Sequence, residues 1–196
     1  HSYLYGDTVS VTSEPDTGYR FDGFSGDCSG TTCSLTMSSD RYVKLDFSKK
    51  HFELTTSVGS GKGSITPSGT STYEYGTSVS VKAEPDTGYV FDSFSGDCTG
   101  SSCDLRMDSS KMVSADFSRK QYSLESSDVS GEGSIDFNVS KPYYGDTVEA
   151  TATPATGWKY DGFGGDCSGS TGTQCVFVVD SDPSVSASFS REQYTI

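Results

Sequence analysis

The sequence predicts an all-β protein built as a tandem array of small modules, each pinned by one disulfide. Hydrophobic residues make up only 32% of the 196 residues, whereas Gly, Tyr and Phe number 22, 12 and 11. Aromatic residues favour strands, and short segments alternate between apolar and polar residues with the period of two that is typical of half-buried strands. One pattern with two cysteines also occurs three times, which is the mark of a repeat architecture.

The repeated pattern begins at a Tyr-Gly pair and extends through a cysteine. It reads YGDTVSVTSEPDTGYRFDGFSGDC at 5–28, YGTSVSVKAEPDTGYVFDSFSGDC at 75–98 and YGDTVEATATPATGWKYDGFGGDC at 144–167. Boundaries near Lys50 and Lys120 divide the chain into residues 1–50, 51–120 and 121–192, called here the first, second and third repeat. Residues 193–196 match the start of a further unit. The first repeat lacks the opening segment that begins at His51 and Gln121 in the others, so we expect that the chain is excised from a longer array.

Period-two alternation places about six short strands in each repeat. The opening segments predict a first strand with Phe52 and Leu54, and its counterpart with Tyr122 and Leu124. Glycines then turn the chain into a second strand, which carries an isoleucine. The strand after the Tyr-Gly pair ends at a proline, which removes a backbone donor, and a glycine turn follows. The isoleucine of the second strand is Ile65 or Ile135. The apolar residues of the strand after the Tyr-Gly pair are Val9 and Val11, then Val79, Val81 and Ala83, then Val148, Ala150 and Ala152. The turn glycines are Gly18, Gly88 and Gly157.

Later strands follow the second cysteine of each repeat. Leu35 with Met37, Leu105 with Met107 and Phe177 with Val179 share one face. The last strand is expected to bury three residues in each repeat, namely Val43, Leu45 and Phe47, then Val113, Ala115 and Phe117, then Val185, Ala187 and Phe189.

The cysteines indicate the compartment. Because a repeat that folds alone must pair its own two cysteines, we expect the disulfides Cys28–Cys33, Cys98–Cys103 and Cys167–Cys175. Stable disulfides form in oxidising surroundings, which predicts a secreted or cell-surface protein. Structural zinc needs four Cys or His ligands, and each repeat offers only two cysteines without a regular histidine.

The whole pattern resembles the divergent internalin-type B-repeat, found in secreted and surface proteins of bacteria. The resemblance rests on G-x-x-V-x-V-x-x-x-P-x-x-G-Y-x-F-x-x-F-S-G-D-C, followed by a second cysteine and V-x-A-x-F. It implies a β-grasp-like module that is used for surface display, spacing or adhesion, and it carries no catalytic residue. The chain departs from the family by having Phe24, Phe94 and Phe163 where tryptophan is expected, and by its longer spacer between Cys167 and Cys175.

The net charge of −13 repels phosphate backbones and anionic lipid surfaces. Nucleic acid is therefore a poor partner, and no apolar run approaches the ~18 residues of a membrane span.

Catalytic and metal sites have little support in the sequence. The paired carboxylates of each repeat stand beside turn glycines and cysteines, where aspartate usually bonds to nearby backbone amides. An enzyme with three identical sites in a row is not expected, so we predict no catalytic residue and no cofactor, with calcium ligation as the alternative. These aspartates are Asp22, Asp92 and Asp161, with Asp27, Asp97 and Asp166.

Three aromatic residues, Tyr19, Tyr89 and Trp158, occupy equivalent places after the turn glycine. Exposed rings there would stack on sugars, whereas buried rings would belong to the core.

The leading interpretation is a non-catalytic extracellular array that acts as a stalk, spacer or adhesion module. Its candidate partners are its neighbouring repeats and a surface glycan or protein. One alternative is a carbohydrate-binding module of a secreted polysaccharide-active protein. A second is a subunit of a head-to-tail filament, in which residues 193–196 of one molecule pair with the first repeat of the next.

Overall fold

The computed structural model of the chain describes residues 1–124 and 128–196. Residues 125–127, which fall in the predicted opening segment of the third repeat, lie outside the described residues. Within the described ranges the chain forms seventeen β-strands and no helix, so the predicted all-β class is confirmed. That part of the chain accordingly contains no helix with the length and apolar character needed to cross a bilayer.

The first repeat contains four strands in two antiparallel pairs. Strand β1 (Thr8–Val11) pairs with β3 (Cys33–Thr36), and β2 (Tyr19–Gly26) pairs with β4 (Val43–Lys49). The register of the second pair shifts between Phe21 and Gly23. A small core forms where Phe24 packs against the disulfide.

The second repeat contains seven strands in two sheets. One sheet has the order β7-β5-β11-β9 and the other has the order β10-β8-β6. The strands are β5 (His51–Ser60), β6 (Gly63–Thr66), β7 (Gly69–Glu74), β8 (Ser78–Pro85), β9 (Tyr89–Gly96), β10 (Cys103–Arg106) and β11 (Lys111–Arg119).

The third repeat forms two three-stranded sheets, with the orders β12-β17-β15 and β13-β14-β16. Strand β12 lies parallel to β17, while the other pairs are antiparallel. The strands are β12 (Asp128–Ser130), β13 (Gly133–Phe137), β14 (Thr147–Pro154), β15 (Trp158–Gly165), β16 (Gln174–Val178) and β17 (Val185–Arg191).

Strand β7 is absent from the sequence-based prediction. Its sequence, GTSTYE, contains no apolar alternation because only Tyr73 is large and apolar. The strand lies at the edge of its sheet and pairs only with β5, from His51↔Glu74 to Thr56↔Gly69. An edge strand with little buried surface has no hydrophobic periodicity from which a strand can be predicted.

The strand predicted at Tyr122 and Leu124 is wrong. Both side chains are buried, but among residues 121–124 the only bridge joins Gln121 to Tyr143. The amide of Tyr122 donates to the carbonyl of Pro142 (2.9 Å), whereas in the second repeat the matching residue is Tyr73, opposite Phe52. Because proline has no N–H, the return bond of a ladder pair cannot form in the third repeat.

The expectation that the last strand is buried fails in the first repeat. Phe117 and Phe189 are 2% and 5% exposed, whereas Phe47 is 41% exposed. In the later repeats one glycine of the opening turn lies so close to this ring that an added Cβ would meet it, Gly63 at Phe117 and Gly133 at Phe189, while Gly61 and Gly131 lie against the backbone carbonyl of the same phenylalanine. Among residues 1–50, no glycine has Phe47 among its nearest neighbours.

The chain divides into two compact units that do not coincide with the repeats. One comprises residues 1–57, 65–82 and 93–115, and the other comprises residues 58–64, 83–92 and 116–196. The start of the second repeat therefore falls inside the first unit, and the start of the third falls inside the second unit.

We expect Phe117→Ala to lower the free energy of unfolding by about 3–5 kcal/mol, because it removes a fully buried ring. The matched variant Phe47→Ala should cost less than about 1 kcal/mol, since the ring is already exposed to water. Urea denaturation of both variants measures the difference, and equal costs would show that the burial of the two rings does not differ as described.

Candidate functional site

Each repeat closes one short disulfide around its Gly-Asp-Cys corner. The pairs are Cys28–Cys33, Cys98–Cys103 and Cys167–Cys175, with Cα atoms 5.4, 5.5 and 5.7 Å apart. All six cysteines are buried, and in the third repeat the pair lies in the main hydrophobic cluster. The bridges thus supply part of the core of each small module.

The aspartate before the first cysteine clamps the start of the last strand. The carboxylate of Asp27 accepts the backbone N–H of Tyr42 (2.7 Å), and its own amide donates to the carbonyl of Tyr42 (2.8 Å). Asp97 makes the same pair of bonds with Met112, and Asp166 makes them with Ser184. The expected bonding to backbone amides is therefore seen at this position.

The other repeated aspartate bonds differently from the expectation. Its carboxylate accepts a serine hydroxyl of the last strand rather than a backbone amide, in the pairs Asp22–Ser48 (2.9 Å), Asp92–Ser118 (2.8 Å) and Asp161–Ser190 (2.9 Å). Both sets of carboxylates tie the last strand to the rest of the repeat. Among the described residues, no group of three His, Cys, Asp or Glu side chains is placed to hold a metal ion, and calcium ligation stays an untested alternative.

The three aromatic candidates do not form three equivalent platforms. Tyr19 is 37% exposed, whereas Tyr89 and Trp158 are half-buried. Trp158 packs against the core of the third repeat, with its Cζ3 beside Gly131. The guanidinium of Arg191 lies over the same ring, 5.6 Å from its centroid. The ring of Trp158 thus contacts both the core and Arg191.

A different tyrosine makes the most regular contact between repeats. The ring of Tyr75, from the Tyr-Gly pair of the second repeat, lies so close to Gly18 of the first that a Cβ there would overlap it. Lys50 bonds to both repeats, because its amide donates to the carbonyl of Gly18 (2.8 Å) and its carbonyl accepts the amide of Tyr75 (2.8 Å). Lys49 adds an ion pair with Glu74 (3.2 Å).

The next junction has the same construction. The ring of Tyr144 covers Gly88, and Lys120 donates to the carbonyl of Gly88 (2.8 Å) while accepting the amide of Tyr144 (2.9 Å). Each turn glycine has a positive φ, 83° at Gly18 and 78° at Gly88, a conformation that side chains disfavour. Glycine is thus required for two reasons, namely the positive φ of the backbone and the close approach of the tyrosine ring.

Charge reinforces the second junction. Arg119 pairs with Asp146 (2.6 Å), donates to the carbonyl of Tyr144 (3.1 Å) and lies over the ring of Tyr143. The backbone amide of Tyr143 and the guanidinium of Arg119 hold the pKa of Asp146 below its usual value. Since the folded pKa is lowered, this interaction is present at neutral pH and is lost as the pH falls through that pKa.

Sequence reasoning gave no role to Tyr75 and Tyr144. The usable signal was that the Tyr-Gly pair and the turn glycine are identical in all three copies, whereas the ring after the turn glycine changes from tyrosine to tryptophan. The sequence pattern predicts only a turn for this glycine. Nothing in the alternation of a single repeat indicates that its partner stands in the next one.

Comparison with known families gives one result. The model of the divergent InlB B-repeat domain matches residues 1–51, 54–121 and 124–193. No curated protein and no solved structure matches the chain.

Trp158 is the only tryptophan of the chain, so its fluorescence reports on this position alone. We expect no change in its emission when soluble glycans are added, because Gly131 and Arg191 already contact the ring. Trp158→Ala should lower the free energy of unfolding by about 2 kcal/mol, roughly half the cost of a fully buried ring. Tyr19→Ala, at the matched and more exposed position, should cost less. A loss of glycan binding in Trp158→Ala at unchanged stability would instead establish a sugar site.

Proposed function

Because the chain belongs to the divergent InlB B-repeat family, we propose that it is a non-catalytic spacer of a bacterial secreted or cell-surface protein. The observation that carries this proposal is the junction between repeats. At both junctions a tyrosine ring covers a turn glycine and one linker residue is bonded to the repeats on either side. A spacer needs such contacts, because modules on free linkers would not hold a fixed separation.

The linkers are too short to act as flexible tethers. Strand β4 ends at Lys49 and β5 begins at His51, which leaves Lys50 alone between them. Both polar groups of the Lys50 backbone are used in the junction. Because the backbone N–H of Lys50 bonds to the first repeat and its C=O bonds to the second, the two modules are restrained relative to each other at this point.

The disulfides support an extracellular location. Three bridges in modules of this size replace part of the core that a larger domain would have, and they persist only where thiols are not kept reduced. The acidic net charge of −13 favours solubility and opposes association with anionic surfaces.

The carbohydrate-binding alternative has less support from the structure. It calls for equivalent exposed rings in every repeat, whereas Trp158 contacts the core of the third repeat and lies beneath the guanidinium of Arg191. A role in adhesion to a protein is compatible with the same repeats. We therefore favour spacing over ligand recognition.

The spacer role predicts that each junction restrains its own pair of repeats. In Tyr75→Ser, the amides of the first repeat should report a shorter rotational correlation time by ¹⁵N relaxation, because the ring that covers Gly18 is gone. Tyr144→Ser should have this effect on the third repeat.

Each variant is the control for the other, and Tyr42→Ser, which changes an exposed ring away from both junctions, should change neither correlation time. If the first and third repeats already tumble independently in the unaltered chain, the spacer proposal is wrong.

A further inference from the structure

We propose that Asn138 is an acceptor for N-linked glycosylation and that residues 136–140 form the segment a glycosylating enzyme recognises. Asn138, Val139 and Ser140 fit the pattern Asn-x-Ser/Thr of such acceptors. Serine and threonine are abundant in this chain, so the pattern gains its weight from where the structure places these residues. The inference assigns a modification site, and it shares with the spacer proposal only the extracellular location.

Asn138 stands at the start of an exposed loop. Strand β13 ends at Phe137 and β14 begins at Thr147, and both Asn138 and Ser140 are exposed in the segment between them. Val139 is half-buried and packs against a buried hydrophobic cluster of the third repeat. The loop is thus anchored through its valine, while the amide and the hydroxyl of the acceptor pattern stay accessible to an enzyme.

The side chain of Asn138 is held by its oxygen. Oδ1 accepts the backbone N–H of Glu149 (2.9 Å), and the backbone N–H of Asn138 donates to the carbonyl of Glu149 (3.1 Å). Among the described residues, Nδ2 of Asn138 has no hydrogen-bond partner. Because an N-linked glycan is attached through this nitrogen, both bonds to Glu149 can persist in the product, and the fold does not oppose the modification.

A carboxylate lengthens the recognition segment. Asp136 lies two residues before Asn138, is exposed, and accepts a hydrogen bond of 3.3 Å from the hydroxyl of Ser134. An exposed carboxylate can pair with a basic side chain of an enzyme. The matching place in the second repeat reads Thr66-Pro67-Ser68, and Asn138 is the only asparagine of the chain. The acceptor is therefore a feature of the third repeat alone.

The reaction is a glycosyl transfer. Nδ2 of Asn138 attacks C1 of the first sugar of a polyprenyl diphosphate-linked oligosaccharide and forms a C–N bond. The bond between C1 and the diphosphate oxygen breaks, and polyprenyl diphosphate leaves with the electron pair. The proton lost from Nδ2 passes to a base of the transferase, and no group is oxidised or reduced.

A glycosylation assay on the folded 196-residue chain tests the proposal. The chain is incubated with a bacterial oligosaccharyltransferase and a polyprenyl diphosphate-linked oligosaccharide of known mass, and the intact mass is then measured without reduction. We expect the addition of one glycan to a chain that keeps all three disulfides. A peptide of residues 132–144 is the matched substrate, since it has the same sequence without the fold.

Four variants assign the site. Asn138→Asp keeps an oxygen that can accept the amide of Glu149 and should abolish the addition. Ser140→Ala removes the hydroxyl and should slow the reaction by about tenfold or more, as the loss of one recognition hydrogen bond does. Ser140→Thr retains a hydroxyl and should still be modified. Asp136→Asn removes the charge and should also slow the reaction.

A folded chain that gains no mass overturns the proposal. Modification of the peptide alone would show that the fold hides the site, and modification of neither would show that the segment is not an acceptor. Addition that persists in Asn138→Asp, or an unchanged rate in both Ser140→Ala and Asp136→Asn, overturns it as well, because the enzyme would then recognise something else. The spacer proposal is judged separately, since its correlation times are measured on the unmodified chain.

Discussion

The contact between a turn glycine and the tyrosine ring of the next repeat is the constraint on which the array depends. Gly18 and Gly88 must lack a side chain, since a Cβ at either position would overlap the ring of Tyr75 or Tyr144. The same residues have a positive φ, which glycine adopts without the cost that other residues incur. A single residue type thus shapes the turn within one repeat and admits the side chain of the following one.

This contact also explains why the compact units ignore the repeat boundaries. Residues on both sides of each junction fall in the same unit, and the division runs instead through the second repeat. Contacts between the start of one repeat and the end of its predecessor therefore lie within a single unit. Repeat proteins in general gain stability from such nearest-neighbour interfaces. Inside each module, the disulfide adds stability that the small core cannot provide alone.

The sequence predicted the elements that follow a hydrophobic period. Strands β8, β11, β14 and β17 were predicted because their buried residues alternate, and the disulfides because each repeat has two cysteines. Strand β7 was missed because an edge strand of Thr and Ser shows no period. The strand at Tyr122 was predicted wrongly, since the effect of Pro142 acts across a pairing that is not visible in sequence.

Of the candidate site, the sequence predicted the bonding of Asp27, Asp97 and Asp166 and missed that of Asp22, which depends on a serine 26 residues away. The role of Tyr75 and Tyr144 could not be derived from one repeat alone, because each ring acts on the preceding repeat. The exposure of Phe47 likewise could not be predicted from the alternation of its own strand. Its alternation is that of Phe117, and only the glycine turn of an opening segment distinguishes the two.

The most direct measurement compares Gly88→Ala with Gly157→Ala. Both residues have a positive φ, so both variants carry a similar backbone cost of about 1–2 kcal/mol, but only Gly88 is covered by a ring. The account predicts that Gly88→Ala lowers the free energy of unfolding by clearly more than Gly157→Ala and accelerates hydrogen exchange at the amides of Lys120 and Tyr144. Equal costs, with unchanged exchange at those two amides, would contradict it.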